Sequence, residues 1–175
     1  MMAIMERPKL YLFIGYPGAG KTTVALLLKR KTGGEHLWAD HVRRLMFANP
    51  THEHDESLQL YEQLNATADE LLAKGRTVIY DTNFNFYADR EYLRKIAQSR
   101  QADAVLIWVN TPKDIARQRA VGGVNRSNTR ILGKMTDAEF NAIANKLEPP
   151  RENEQFIKID GTKLDEQSLL AQLGM

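Results

Sequence analysis

Residues Gly15-Tyr16-Pro17-Gly18-Ala19-Gly20-Lys21-Thr22 form a G-x-x-x-x-G-K-[ST] pattern, and each position in it answers a chemical need. Glycines let consecutive backbone N–H groups turn into one concavity that binds phosphate oxygens. Lys21 offers a point charge to β and γ phosphates, and Thr22 offers its hydroxyl to magnesium. A helix beginning there adds its positive dipole end. The pattern predicts ATP with Mg²⁺ held by Gly15, Pro17, Gly18, Ala19, Gly20, Lys21, Thr22 and Thr23. The Asn-Lys-x-Asp tetrapeptide that reads guanine does not occur.

Three further groups bear on what happens to the triphosphate. Asp40 and Arg43 are three residues apart, which puts both on one helical face. A carboxylate there suits a general base for an acceptor hydroxyl, and the guanidinium suits positioning of acceptor or phosphate. Asp81-Thr82-Asn83 closes an apolar run, at the strand end where open α/β sheets gather ligands. Asp81 serves either magnesium or the acceptor, and Asn83 joins it as a substrate-binding candidate. Phe84, Phe86 and Tyr87 follow, suited either to stacking or to packing. Between Lys113 and Lys134 stand six basic residues against the single acid Asp114. A lid over about 119–135 carrying Arg119 and Arg126 would expel water and offset charge on a transferring group. His52 and His54 lie in a polar loop with no metal-site context.

The elements that must position these groups follow from periodicity. Leu10–Ile14, His36–Ala39, Thr77–Tyr80, Ala104–Val109 and Phe156–Ile159 read as strands. Between them lie helical patterns over Thr22–Lys31, Glu56–Lys74, Tyr87–Arg100 and Asp137–Leu147, with a closing helix at Leu164–Leu173. Asp40 is predicted to cap a short helix reaching Phe47, and Pro112 to open another in its first turn. Strands alternating with helices imply a mostly parallel sheet covered on both faces. The 175 residues are read as one domain, with 43% hydrophobic and 26% charged side chains. The absence of cysteine excludes thiol nucleophiles, cysteine zinc sites and iron–sulfur clusters. No apolar run approaches the roughly 20 residues of a membrane span, and the N-terminus lacks a signal-peptide core, so a cytoplasmic location is expected. No membrane and no obligate protein partner are expected. The net charge of +2 leaves a nucleic-acid partner open.

Taken together, these residues resemble the P-loop kinase family that includes the phage-type polynucleotide 5′-kinase domain, zeta toxins and chloramphenicol phosphotransferase. The resemblance is carried by Gly15–Thr22, Asp40 with Arg43, Val78–Asn83 followed by Arg90, Pro112 with Arg119, and Glu148-Pro149-Pro150 before Glu154 and Phe156. It implies a three-layer α/β fold with a five-stranded sheet of order 2-3-1-4-5 and a basic lid. It also implies an ATP-dependent kinase acting on a hydroxyl, slightly favouring a nucleic-acid 5′ end or a nucleoside. Asp40 would then be the base, Arg43 and Asp81 would meet the acceptor, and Arg119 the nucleotide phosphates. Pro149–Phe156 would border the adenine. Small-molecule kinases and a switch ATPase are the alternatives. The family often repeats a lid arginine four residues after the first; here that position is Gly123, with Arg126 as the substitute.

Overall fold

A computed structural model describes residues 6–122 and 135–175. Five strands, β1 (Lys9–Ile14), β2 (Glu35–Trp38), β3 (Val78–Asp81), β4 (Asp103–Asn110) and β5 (Phe156–Asp160), form one sheet of order β2-β3-β1-β4-β5. Every pairing is parallel, with Leu10 opposite both Val78 and Ala104, and Asn110 opposite Asp160. Parallel pairing brings all five carboxyl ends to one edge. The expected order and fold class are those observed.

Alternation along β1 divides the core. Leu10, Leu12 and Ile14 face α3 (His54–Ala73) and α4 (Tyr87–Ser99), through Leu60, Leu64, Leu72 and Leu93. Tyr11 and Phe13 face α1 (Lys21–Thr32) and α7 (Glu166–Leu173), through Val24, Leu28 and Leu169. Two buried faces explain why β1 and β3 read as unbroken apolar runs rather than alternating ones. Helix on each side of the sheet gives three layers.

Several boundaries differ from expectation for local reasons. The short helix α2 (Ala39–Met46) starts two residues early, so Trp38 is its N-cap and Asp40 lies inside its first turn, making no cap bond. A carboxylate is still favoured there, by the helix dipole. Pro112 precedes rather than opens α5 (Lys113–Arg117), its ψ of 136° being extended. A π-helical turn, Gln118–Gly122, continues α5. Helix α6 (Asp137–Ala144) begins at a capping box between Thr136 and Glu139. The predicted lid runs from this π-turn across residues 123–134, so Arg126, Arg130 and Lys134 lie outside the described residues. Among the described residues no helix is long and apolar enough to cross a membrane.

Candidate active site

The loop between β1 and α1 turns on Gly18 (φ +78°) and Gly20 (φ +112°), backbone states that side-chain-bearing residues rarely adopt. At Gly18 a Cβ would also meet the Ala116 carbonyl at 2.3 Å, so the glycine allows α5 to approach. Lys21 folds over the loop, its Nζ donating to the carbonyls of Gly15 (2.9 Å) and Tyr16 (2.8 Å). Burial pushes the Lys21 ammonium down to about 8, and the carboxylates of Asp81 and Asp40 oppose that fall. Those two acids therefore act directly on the loop lysine. They reach it from different strands' ends: Asp81 closes β3, and Asp40 follows β2.

Asp81 is 4% exposed and doubly held. Its Oδ1 accepts from Thr22 Oγ1 at 3.3 Å, and its Oδ2 lies 2.9 Å from His36 Nε2. Thr22 and Asp81 thus offer adjacent hard oxygen donors, the set magnesium prefers. Among the described residues no group of three His, Asp or Glu side chains gathers as a metal cage. The ring of His36 stacks on Trp38 (5.8 Å, 6°), which stacks in turn on His41 (6.0 Å, 19°).

Asp40 is half-buried. Burial raises its pKa above the ordinary carboxylate value, with Asp81 adding to the rise and His52, Arg43 and Arg44 working against it. Arg43 is 4% exposed and turns toward α3, where it donates to Glu56 and to Ser57 Oγ. Beside it Tyr61 and Thr82 share a hydroxyl–hydroxyl bond of 2.9 Å. Of the other substrate candidates, Asn83 is exposed. The buried amide is Asn85, whose Oδ1 accepts from Gly15 N at 3.3 Å.

Arg119 reaches the loop from the π-turn. Its Nη1 donates to Gly161 O at 2.9 Å and more distantly to the carbonyls of Gly18 and Ala19. Thr111 Oγ1 donates to Ala19 O at 2.8 Å, and a Cβ on Gly161 would stand 1.7 Å from that hydroxyl. The turn after β5 is thereby fitted against the phosphate loop. Residues 148–154 pack elsewhere. The Glu148 amide donates to Asn85 O, and fully buried Arg90 binds Glu154 through two bonds of 2.8 Å. Phe156 begins β5 opposite Leu106, level with Leu12 and two residues below the end of β1 from which the phosphate loop leaves.

A family model described as an AAA domain matches residues 10–150. The chain belongs to that family. No curated protein sequence matches it. Among solved structures, the chain is similar to the APS kinase of Mycobacterium tuberculosis, solved with AMPPNP and APS, at 23% identity and a TM-score of 0.66. That match covers 97% of this chain and 99% of the other. A gluconokinase from Sinorhizobium meliloti matches at 18% identity and TM-score 0.66, over 96% and 91%. Kti12 of Chaetomium thermophilum, solved with ADP-AlF3, matches at 16% and 0.72, over 94% and 95%. At these identities the likeness is one of fold.

Within this AAA-domain fold, sequence reading brings together Gly15–Thr22, Asp40, Asp81 and Arg119 around one loop. It misses His36, Glu56, Tyr61, Asn85, Thr111 and Gly161. Only Asn85 carried a local signal, as the second Asn of Asp81-Thr82-Asn83-Phe84-Asn85.

Proposed function

We propose that the protein is an ATP-dependent kinase that transfers the γ-phosphoryl group of ATP to a hydroxyl acceptor. The observation that carries this reading is that the parallel strands β1, β2 and β3 bring the phosphate loop, Asp40 and Asp81 to one edge of the sheet, where Asp81 accepts from Thr22. Lys21 and the backbone of Gly15–Thr22 would hold the β and γ phosphates, displacing the ammonium from the carbonyls it now caps. Thr22 and Asp81 would hold Mg²⁺, which would supply positive charge to neutralise the phosphates. Asp40 would accept the proton of the attacking hydroxyl as its oxygen joins the γ-phosphorus and ADP leaves. Its raised pKa makes it a stronger base than an exposed aspartate. Arg119, seated beside Gly18 and Gly161, would reach the nucleotide, and Arg126 would act with it from the lid. Membership of the AAA-domain family and the fold shared with nucleotide-bound kinases support this reading.

The acceptor is read as a nucleic-acid 5′-hydroxyl or a nucleoside, with sugars and antibiotics as the alternative. The basic 113–134 stretch supports this reading, as does Phe86, exposed beyond Asp81. Phe84 is excluded as a stacking surface, being 4% exposed and packed edge-on against Tyr80. The test is label transfer from γ-labelled ATP across 5′-hydroxyl DNA and RNA, nucleosides, sugars and antibiotics. Acceptor-dependent ADP release should vanish in both Asp40→Asn and Lys21→Ala. Hydrolysis that persists in Asp40→Asn and needs no acceptor would identify a switch ATPase instead.

A further inference from the structure

Arg43 is the buried cation of the acceptor wall, and its charge is already matched. Nη1 donates to Glu56 Oε1 and Nη2 to Ser57 Oγ, both from the first turns of α3. Glu56 is itself fixed in place by the Thr51 amide (2.6 Å), the Thr51 hydroxyl (3.1 Å) and the His52 amide (3.1 Å). Desolvation would raise the pKa of its carboxylate. The Thr51 and His52 amides and the Arg43 guanidinium outweigh that and hold it at about 2. Glu56 is therefore ionised throughout the working range and does not release Arg43.

Of the five N–H groups of the guanidinium, Glu56 and Ser57 take one from each Nη. Among the described residues, Arg43 Nε is a buried side-chain nitrogen without a hydrogen-bond partner. A phosphate is recognised by the two-pronged face of an arginine, and the Nη1–Nη2 face is the one that Glu56 and Ser57 take, which leaves the place to a ligand without that charge. The surroundings favour the same kind of ligand: the Tyr61 and Thr82 hydroxyls and the Asp40 carboxylate stand by the guanidinium. Arg44, next along α2, is exposed and has a partner of its own. Among the described residues, Asp40 feels Asp81, His52, Arg43 and Arg44, and of these Arg43 is already paired with Glu56.

We propose that Glu56 is a specificity-determining residue: by occupying the guanidinium of Arg43 it selects an uncharged, hydroxyl-bearing acceptor over one with a phosphate beside the reacting hydroxyl. The inference rests on the kinase reading and narrows it, within the acceptors named above, to nucleosides and other phosphate-free alcohols.

Two measurements test it. First, the protein is saturated with Mg²⁺ and a non-hydrolysable ATP analogue, so the phosphate loop is filled, and titrated with inorganic phosphate by calorimetry. Glu56→Gln, which removes the charge and keeps one acceptor oxygen for the Thr51 or the His52 amide, should bind phosphate at least tenfold tighter than wild type. The Arg43→Gln/Glu56→Gln pair should lose that gain. If Glu56→Gln does not fold, Glu56→Asp, which withdraws the carboxylate by one methylene, should show a smaller gain. Equal phosphate binding in wild type and the Glu56 variants overturns the proposal, as does a gain that persists without Arg43. Second, wild type should transfer label to nucleosides at least tenfold better, in kcat/KM, than to their 3′-phosphates, and Glu56→Gln should erase most of that ratio. Wild-type preference for the 3′-phosphates also overturns it. Absence of transfer to any acceptor, with the phosphate-binding gain intact, sinks the kinase reading and leaves the role of Glu56 in anion exclusion standing.

Discussion

Asp40 is asked to be charged where charge is unfavourable. Burial raises its pKa from the ordinary 3.8, so the ionised form costs the folded state free energy at neutral pH. Two outcomes follow, with opposite signs. The acid limb of kcat/KM should fall at a pH above 3.8, activity being present above the Asp40 pKa and lost as pH drops through it. A limb at or below 3.8 removes Asp40 as the base. Asp40→Asn should at the same time stabilise the fold by about 0.5–2 kcal/mol, seen as a higher melting temperature, as relief of a strained functional group commonly does. A thermal melt of the variant beside its activity assay reads both effects.

At the scale of elements, the segment before β5 is held by charge rather than by apolar packing. Arg90, fully buried on α4, donates to Glu154 and to the carbonyls of Phe84 and Glu148, so one guanidinium joins the end of β3 to residues 148–154. Glu154→Gln would strand that buried cation and should cost about 3–5 kcal/mol, visible as a lower urea midpoint. Desolvation raises the Glu154 pKa, but Arg90, the Arg151 amide and Arg94 bring it to about 2. Its folded pKa lies below the unfolded 4.5, so the stabilisation is full above 4.5 and is lost as pH falls toward 2. Gly161→Ala, driving a methyl into Thr111, should weaken nucleotide binding at least tenfold while the far-ultraviolet spectrum is kept. These joints also mark what was legible in the sequence. Strands, helices and the phosphate loop are local patterns, readable from apolar spacing and glycine placement. Arg90 with Glu154, Arg43 with Glu56, and Gly161 with Thr111 are each separated by 13 to 64 residues or meet only through the sheet order, so no window along the chain displays them. Asp40 is not the cap because Ala39 and Asp40 itself already lie in the helix, with extended Trp38 at the N-cap and no side-chain cap bond.

At the scale of the molecule, the phosphate site is an assembly of the whole sheet: β1 supplies the loop, β3 Asp81, β4 the Thr111 that follows it, and β5 the Gly161 that follows it. A ligand bound only by that assembly stabilises the fold by mass action. Mg²⁺–ATP analogue at a hundred times its Kd should add about 2.7 kcal/mol. For a domain of this size that is a rise of roughly 5–11 °C in melting temperature, and Lys21→Ala should abolish it. The order of the strands carries one more consequence. Among the described residues β5 is the last strand and pairs only with β4. A chain that has docked β2, β3, β1 and β4 already owns every residue of the G-x-x-x-x-G-K-T loop, yet lacks the turn against which Thr111 and Arg119 seat it. Half-folded molecules would thus be poor competitors for cellular ATP, and nucleotide would accumulate on the chain only as its final strand zips into place.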